Sequence, residues 1–343
     1  MAEKSTICLV GPKKSGKSAL LAAATDAIVQ GAHGYPAELA PALTPIGRGD
    51  FDQIAAVAAR LGLLDDTAED YERLRRQFAE TDEPGEQLAP VEHHFRLTLS
   101  GAAVSGAPAP SALLRVVDAS GDIALPETAV PPGAMREARD KFAARLGEAR
   151  AIVLVPPLLR AAESGWPAGM ARLIERLGQA PGQRLQRVMV VFSQYDRLFV
   201  RLGPAAFTYA CDPAVALHAL RRQLGASNWI AGLRALEANG VEVRFTVASA
   251  FGFTKTFQNP NVDPQQKGER RFRRDSVAGA AAVTEFWRPF LAADPLVWSA
   301  SGFSSGYMFS LAQLNAGGFP RRAAGAEVRT ATGDTDNPWP PTL

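Results

Sequence analysis

The sequence predicts a three-layer α/β fold built on a mostly parallel sheet with one antiparallel strand. Three observations predict it. Short apolar runs that read as strands alternate with longer segments of helical period, the pattern of an open sheet covered on both faces. The first run, residues 6–10, enters a loop of glycine and lysine and leaves it as an alanine- and leucine-rich helix from Ser18. Two later runs, residues 151–155 and 188–192, are apolar throughout, as parallel strands buried on both faces are.

The elements follow in order. After the first helix, residues 33–49 are rich in glycine and proline and read as loop. Phe51, Ile54, Ala55, Ala58 and Leu61 recur at helical spacing. A second helix begins at Thr67, with Asp70 placed as in a capping box and Tyr71, Leu74 and Phe78 on its inner face. Residues 31–90 are thus expected to be a helical insertion between the first helix and the second strand. Phe95, Leu97 and Leu99 alternate with polar residues, and residues 113–117 form the next strand; together they read as an antiparallel hairpin. Met135, Ala138, Phe142 and Leu146 line a helix, and further helices are expected at 166–177, 215–224 and 229–238, the last stopped by Asn239-Gly240. Residues 243–247 read as the last strand. Residues 277–291 read as the last helix, with Val283, Phe286, Trp287 and Phe290 on its core face, and the stretch from Asp294 to Trp298 closes the domain. One domain over residues 1–314 and a flexible tail over 315–343 are the expected organisation.

Composition narrows the function classes. The chain has 343 residues, 47% hydrophobic and 21% charged, enough to bury a large core. Lys and Arg total 37 against 35 for Asp and Glu, so charge does not indicate nucleic acid as a partner. The basic stretch from Lys267 to Arg274 reads as a solvated loop. Two cysteines, Cys8 and Cys211, give neither a disulfide framework nor metal-ligand spacing. His93-His94 has no third ligand nearby in sequence. No leader pattern and no apolar stretch of membrane-spanning length are present, so a soluble, cytoplasmic protein without a membrane partner is expected.

The loop that opens the chain carries the chemistry. Gly11-Pro12-Lys13-Lys14-Ser15-Gly16-Lys17-Ser18 matches the Walker A phosphate-binding pattern in its required strand–loop–helix context. Gly11 and Gly16 let the backbone turn and bring N–H groups to phosphate oxygens, with Lys14 and Ser15 in the same cradle. The helix start points its unpaired N–H groups to the same place. Lys17 would reach the outer phosphates, and the Ser18 hydroxyl would bind magnesium. Ligands of open α/β sheets bind at the carboxyl ends of strands. Those ends read Asp118-Ala119-Ser120-Gly121, Ser193-Gln194-Tyr195-Asp196 and Ser249-Ala250-Phe251. Asp118 can hold magnesium, and Gly121 can offer its N–H to a terminal phosphate.

This series resembles the translation-factor and Ras-like class of P-loop GTPases over roughly residues 4–298. That class includes stand-alone members in bacterial multi-gene systems of the defence type. The resemblance implies GTP or GDP and Mg2+ as ligands, GTP hydrolysis by an enzyme that acts as a switch, and an effector or activating protein as partner; the departure at Asp122 implies that hydrolysis is slow without that partner. It implies that Asp196 reads guanine, with Gln194, Ser249 and Ala250 framing the base. Four positions depart from the class: Ser193 and Gln194 stand for Asn or Thr and Lys, Phe251 stands for Lys, and Asp122 stands where a water-orienting glutamine is common. A switch threonine that completes the magnesium shell is expected at Thr81, with Thr44 as the rival. Two other readings stay open on the residues alone: an ATP-dependent small-molecule kinase, and a nucleotide-dependent scaffold that no longer hydrolyses.

Overall fold

The computed structural model describes residues 3–13, 15–29, 41–45, 90–99, 111–125, 133–158, 166–179, 184–224, 229–262, 287–304 and 307–316. The expected helices at 51–61 and 67–78, the basic stretch at 267–274 and the tail beyond residue 316 lie outside them.

Among the described residues the main sheet has seven strands: β1 (Glu3–Val10), β2 (Pro41–Pro45), β3 (Val91–Leu99), β4 (Ser111–Asp118), β5 (Ala151–Leu154), β6 (Arg187–Phe192) and β7 (Glu242–Val247). Their spatial order is β2-β3-β4-β1-β5-β6-β7. β4, β1, β5, β6 and β7 pair in parallel, and β3 runs against both of its neighbours. The expected hairpin is therefore present as β3–β4, and β3 is the single reversed strand of the sheet.

Side-chain alternation explains the three layers. Along β1, Cys8 and Val10 enter one core while Ile7 and Leu9 enter the other. Ile152 and Leu154 of β5, and Val188, Val190 and Phe192 of β6, join the first; Val153, Met189 and Val191 join the second. A strand with period two and apolar residues at every position must find cover on both faces. The first core is covered by α3 (Gly133–Glu148), α4 (Trp166–Gln179), α6 (Pro213–Leu224) and α7 (Ile230–Ala238). The second is covered by α1 (Lys17–Val29) and α8 (Asp294–Ser301).

Several expectations are corrected. Pro41–Pro45 was expected in loop and is strand β2, so the region expected as a helical insertion lends a strand to the sheet. Its prolines hid it, yet an edge strand tolerates them because one side of its ladder is unpaired. Trp287–Phe290 is not the end of a helix but strand β9, paired antiparallel with β8 (Ser249–Thr254). Trp287 packs into one core and Phe290 into the other. An aromatic spacing of three fits either period over so short a run, and Pro289 was the signal against a helix. β7 is accordingly not the last strand, and Ser249 to Phe251 lie in a strand rather than a loop. Residues 294–298 belong to α8, with Pro295 in its first turn. Four elements go beyond what the sequence predicts: the short helix α2 (Gly121–Ala124), the 3-10 segment Tyr195–Ala205, α5 (Ala206–Ala210) into which it runs, and α9 (Leu311–Asn315). The last carries a Ser310/Gln313 capping box.

Candidate phosphate-binding site

The carboxyl ends of β1, β4, β6 and the β7–β8 junction meet at one edge of the sheet. β1 ends at Val10, and the glycine- and lysine-rich loop turns into α1 at Lys17. Gly16 makes the turn with φ +84°, a conformation that costs a side-chain-bearing residue strain. Gly11 lies so close to β5 that an added Cβ would stand 2.5 Å from the Val155 carbonyl oxygen. Gly121 is held against the loop itself: an added Cβ would lie 2.3 Å from Lys13 N and 2.7 Å from Pro12 C. The strand end at Asp118 and the loop are therefore in backbone contact, as a joint phosphate site requires.

Lys17 is 7% exposed, and its Nζ donates to the carbonyls of Gly11 at 3.0 Å and Pro12 at 3.1 Å. An ammonium has three donors, so the loop's own carbonyls take two of them. Burial pushes its pKa down, and the carboxylates of Asp118 and Asp122 act against that. Ser18 Oγ donates to Asp118 Oδ2. Burial pushes the Asp118 carboxyl up, against the pull of Lys17 and of the Ser18 hydroxyl. Lysine and carboxylate alike are thus poorly solvated. A hydroxyl touching a carboxylate beside a phosphate loop is an all-oxygen donor pair, the type that suits Mg2+.

Ser193, at the end of β6, ties the loop down. Its hydroxyl donates to the Ser15 carbonyl at 2.6 Å, with the Pro156 carbonyl farther away at 3.3 Å. In the sequence Ser193 stands out only as a departure from the class the chain resembles. The signal was available: a side-chain donor at a strand end facing the loop, where the resembling class has Asn or Thr. Gln194 follows with φ 65° and ψ 30°, a left-handed turn that caps the 3-10 segment. Asp196 is fully buried, and its Oδ1 accepts from Ser249 Oγ at 2.6 Å. Ser249 Oγ in turn accepts from Gly252 N at 3.0 Å. The structure thus brings Asp196 and Ser249 together with Ala250 beside them on β8. It also encloses the Asp196 carboxylate.

Of the expected site residues, Lys14 and Thr81 lie outside the described residues. Thr44, expected in a loop, sits in β2 with its backbone opposite Arg96. His93 and His94 are buried on β3, and among the described residues no group of three or more metal-ligating side chains is assembled. No helix among the described residues is long and apolar enough to cross a membrane.

No family model and no curated protein matches this chain. Among solved structures it is similar to the S. cerevisiae Ski7 GTPase-like domain bound to GDP and inorganic phosphate. That likeness has 12% identity and a TM-score of 0.36, and covers 78% of this chain and 48% of that one. The GTP-bound form of the same domain matches at 12% identity and a TM-score of 0.36, over 81% and 47%. The SRb-GTP/SRX complex from Chaetomium thermophilum matches at 11% identity and a TM-score of 0.34, over 74% and 94%. The chain spans about half the length of the Ski7 chains.

Proposed function

We propose that this chain binds a guanine nucleoside triphosphate with magnesium, hydrolyses it slowly, and acts as a switch on a partner protein. The observation that carries the reading is convergence at one sheet edge. The Walker loop, the Ser18–Asp118 pair, Gly121 and the Asp196–Ser249 pair stand at the carboxyl ends of β1, β4, β6 and the β7–β8 junction, in backbone or side-chain contact with one another or with the loop. In this reading Lys17 exchanges carbonyl partners for phosphate oxygens, and the N–H groups of the loop and α1 bind the rest. Ser18 and Asp118 hold the magnesium. When bound, the metal neutralises phosphate charge. Ser193 keeps the loop in shape, and Asp196 accepts the two donors that guanine presents side by side. A stand-alone protein of a bacterial multi-gene system is the setting that the sequence resemblance implies.

One observation favours a second reading, in which the site takes nucleoside triphosphates without choosing the base: Asp196 is enclosed, and its Oδ1 is already engaged by Ser249. Timed product analysis with GTP and ATP, with and without magnesium, separates the readings. Guanine recognition predicts tighter binding of GTP and a shift of Asp196→Asn toward xanthosine triphosphate, whose 2-carbonyl meets the new donor. Equal binding of GTP and ATP, with no gain for the variant, would replace it with the second reading. Phosphate transferred to a small acceptor rather than to water would make the protein a kinase.

A further inference from the structure

We propose that Lys13 is a catalytic residue of this site, supplying in cis the cation at the terminal phosphate that offsets Asp122. The inference rests on the nucleotide-hydrolase reading and adds a residue to it.

The loop carries two described lysines in opposite environments. Lys17 is buried and donates to the Gly11 and Pro12 carbonyls. Lys13 is exposed. Its backbone is where the loop meets the end of β4, since an added Cβ on Gly121 would lie 2.3 Å from Lys13 N. Gly121 is the residue assigned to the terminal phosphate, so Lys13 stands at that end of the site. Asp122 follows Gly121 directly and is exposed. Asp122 is thus one residue from the contact between Gly121 and the loop, and its carboxylate acts against the downward push of burial on Lys17. Its position is held from α3, where Arg139 Nη2 donates to the Asp122 carbonyl at 3.4 Å. An anion fixed beside a bound phosphate repels it. Arg139 is engaged at the Asp122 carbonyl from α3, whereas Lys13 is, among the described residues, an exposed ammonium on the loop backbone that meets Gly121.

The chemistry places the demand at the same spot. In hydrolysis the oxygen of water bonds to the terminal phosphorus. The bond from that phosphorus to the bridging oxygen breaks, and the electron pair leaves on the diphosphate. Both protons of the water end on inorganic phosphate or solvent. Charge builds on the bridging and terminal oxygens, and a positioned cation stabilises it. A lysine on the loop does this without waiting for a partner.

The test uses the whole chain with Lys13→Met, Lys13→Arg and, as a distant charge control, Lys141→Gln on the exposed face of α3. Single-turnover hydrolysis and calorimetric affinities for tri- and diphosphates of guanosine and adenosine are measured with magnesium. Lys13→Met should slow turnover by about 10- to 100-fold, well short of a full arginine finger. It should weaken triphosphate binding by about 3- to 10-fold and leave diphosphate binding unchanged, as loss of a contact to the terminal group does. Lys13→Arg should recover much of the rate, Lys13→Met with Asp122→Asn should regain part of it, and Lys141→Gln should behave as wild type. Unchanged turnover in Lys13→Met, or equal loss of tri- and diphosphate binding, would overturn the proposal. A wild-type chain that binds triphosphate without turnover would remove the catalytic role while the affinity ratio still judged the contact. A chain that bound no nucleotide would remove both the proposal and the reading beneath it.

Discussion

Replacing Ser193 with alanine removes one oxygen and tests whether the phosphate loop is preorganised. Ser193 is 4% exposed, and its hydroxyl has a single proton to donate. The Ser15 carbonyl at 2.6 Å takes it, because the Pro156 carbonyl is at 3.3 Å and already accepts the Ser193 backbone N–H at 3.0 Å. Alanine leaves the Ser15 carbonyl buried without that donor, a penalty of about 1–3 kcal/mol. The expected outcome is a loss of chemical-denaturation stability in that range. Triphosphate affinity should fall about 5- to 30-fold, as 1–2 kcal/mol of lost loop order implies. The loss should be equal for GTP and ATP, since the bond holds the loop and touches no base. Ser193→Thr keeps the donor and should keep the affinity. Calorimetry on the two variants decides. Unchanged affinity in a destabilised Ser193→Ala chain would mean that the bond serves the fold alone; a loss confined to GTP would mean that Ser193 works through the base.

Three further outcomes are expected. Ser18→Ala and Asp118→Ala should weaken triphosphate binding more in magnesium than in chelator, and equal losses in both would take the metal role from the pair. Gly121→Ala should force the β4 end off the loop, because the added carbon would lie 2.3 Å from Lys13 N; triphosphate affinity should drop about tenfold or more although alanine favours the helix that begins there. On β3, the Glu92 carboxyl is lowered from 4.5 to about 2, first by His94 and then by Arg145 and Arg115, against burial. A lowered carboxyl stabilises the fold above its unfolded pKa, and that contribution disappears as pH falls from about 4.5 to about 2. Glu92 is 24% exposed, so water screens it and Glu92→Gln should cost about 1–2 kcal/mol at pH 7. Thermal melts should show that gap closing only in acid; a gap that persisted at pH 2 would assign it to packing.

The parallel sheet was legible because its central strands are apolar at every position, a pattern that few other structures require. The Walker loop was legible because it demands particular residues at particular spacings. Asp118 and Asp196 could be placed from their positions at strand ends alone. What the sequence hid were elements whose stability comes from partners distant in the chain. β2 has little strand propensity of its own and exists by pairing with β3. β9 is four residues long and finds its partner some forty residues earlier. The Ser193 tether was hidden for the same reason, since its acceptor, Ser15, is 178 residues away.

The pairing of β8 with β9 also divides the site in time. During synthesis, the phosphate loop and the Ser18–Asp118 pair are complete in sequence by residue 125. Ser249, which holds Asp196, lies opposite Phe290, so the base end gains its supporting strand only after that residue has been made. On the proposed function, a chain emerging from the ribosome therefore carries the residues assigned to phosphate before it carries the strand that braces the residue assigned to the base. If Asp196 does read the base, a nucleotide of either kind meets the loop first, and discrimination begins only when the last strand has docked.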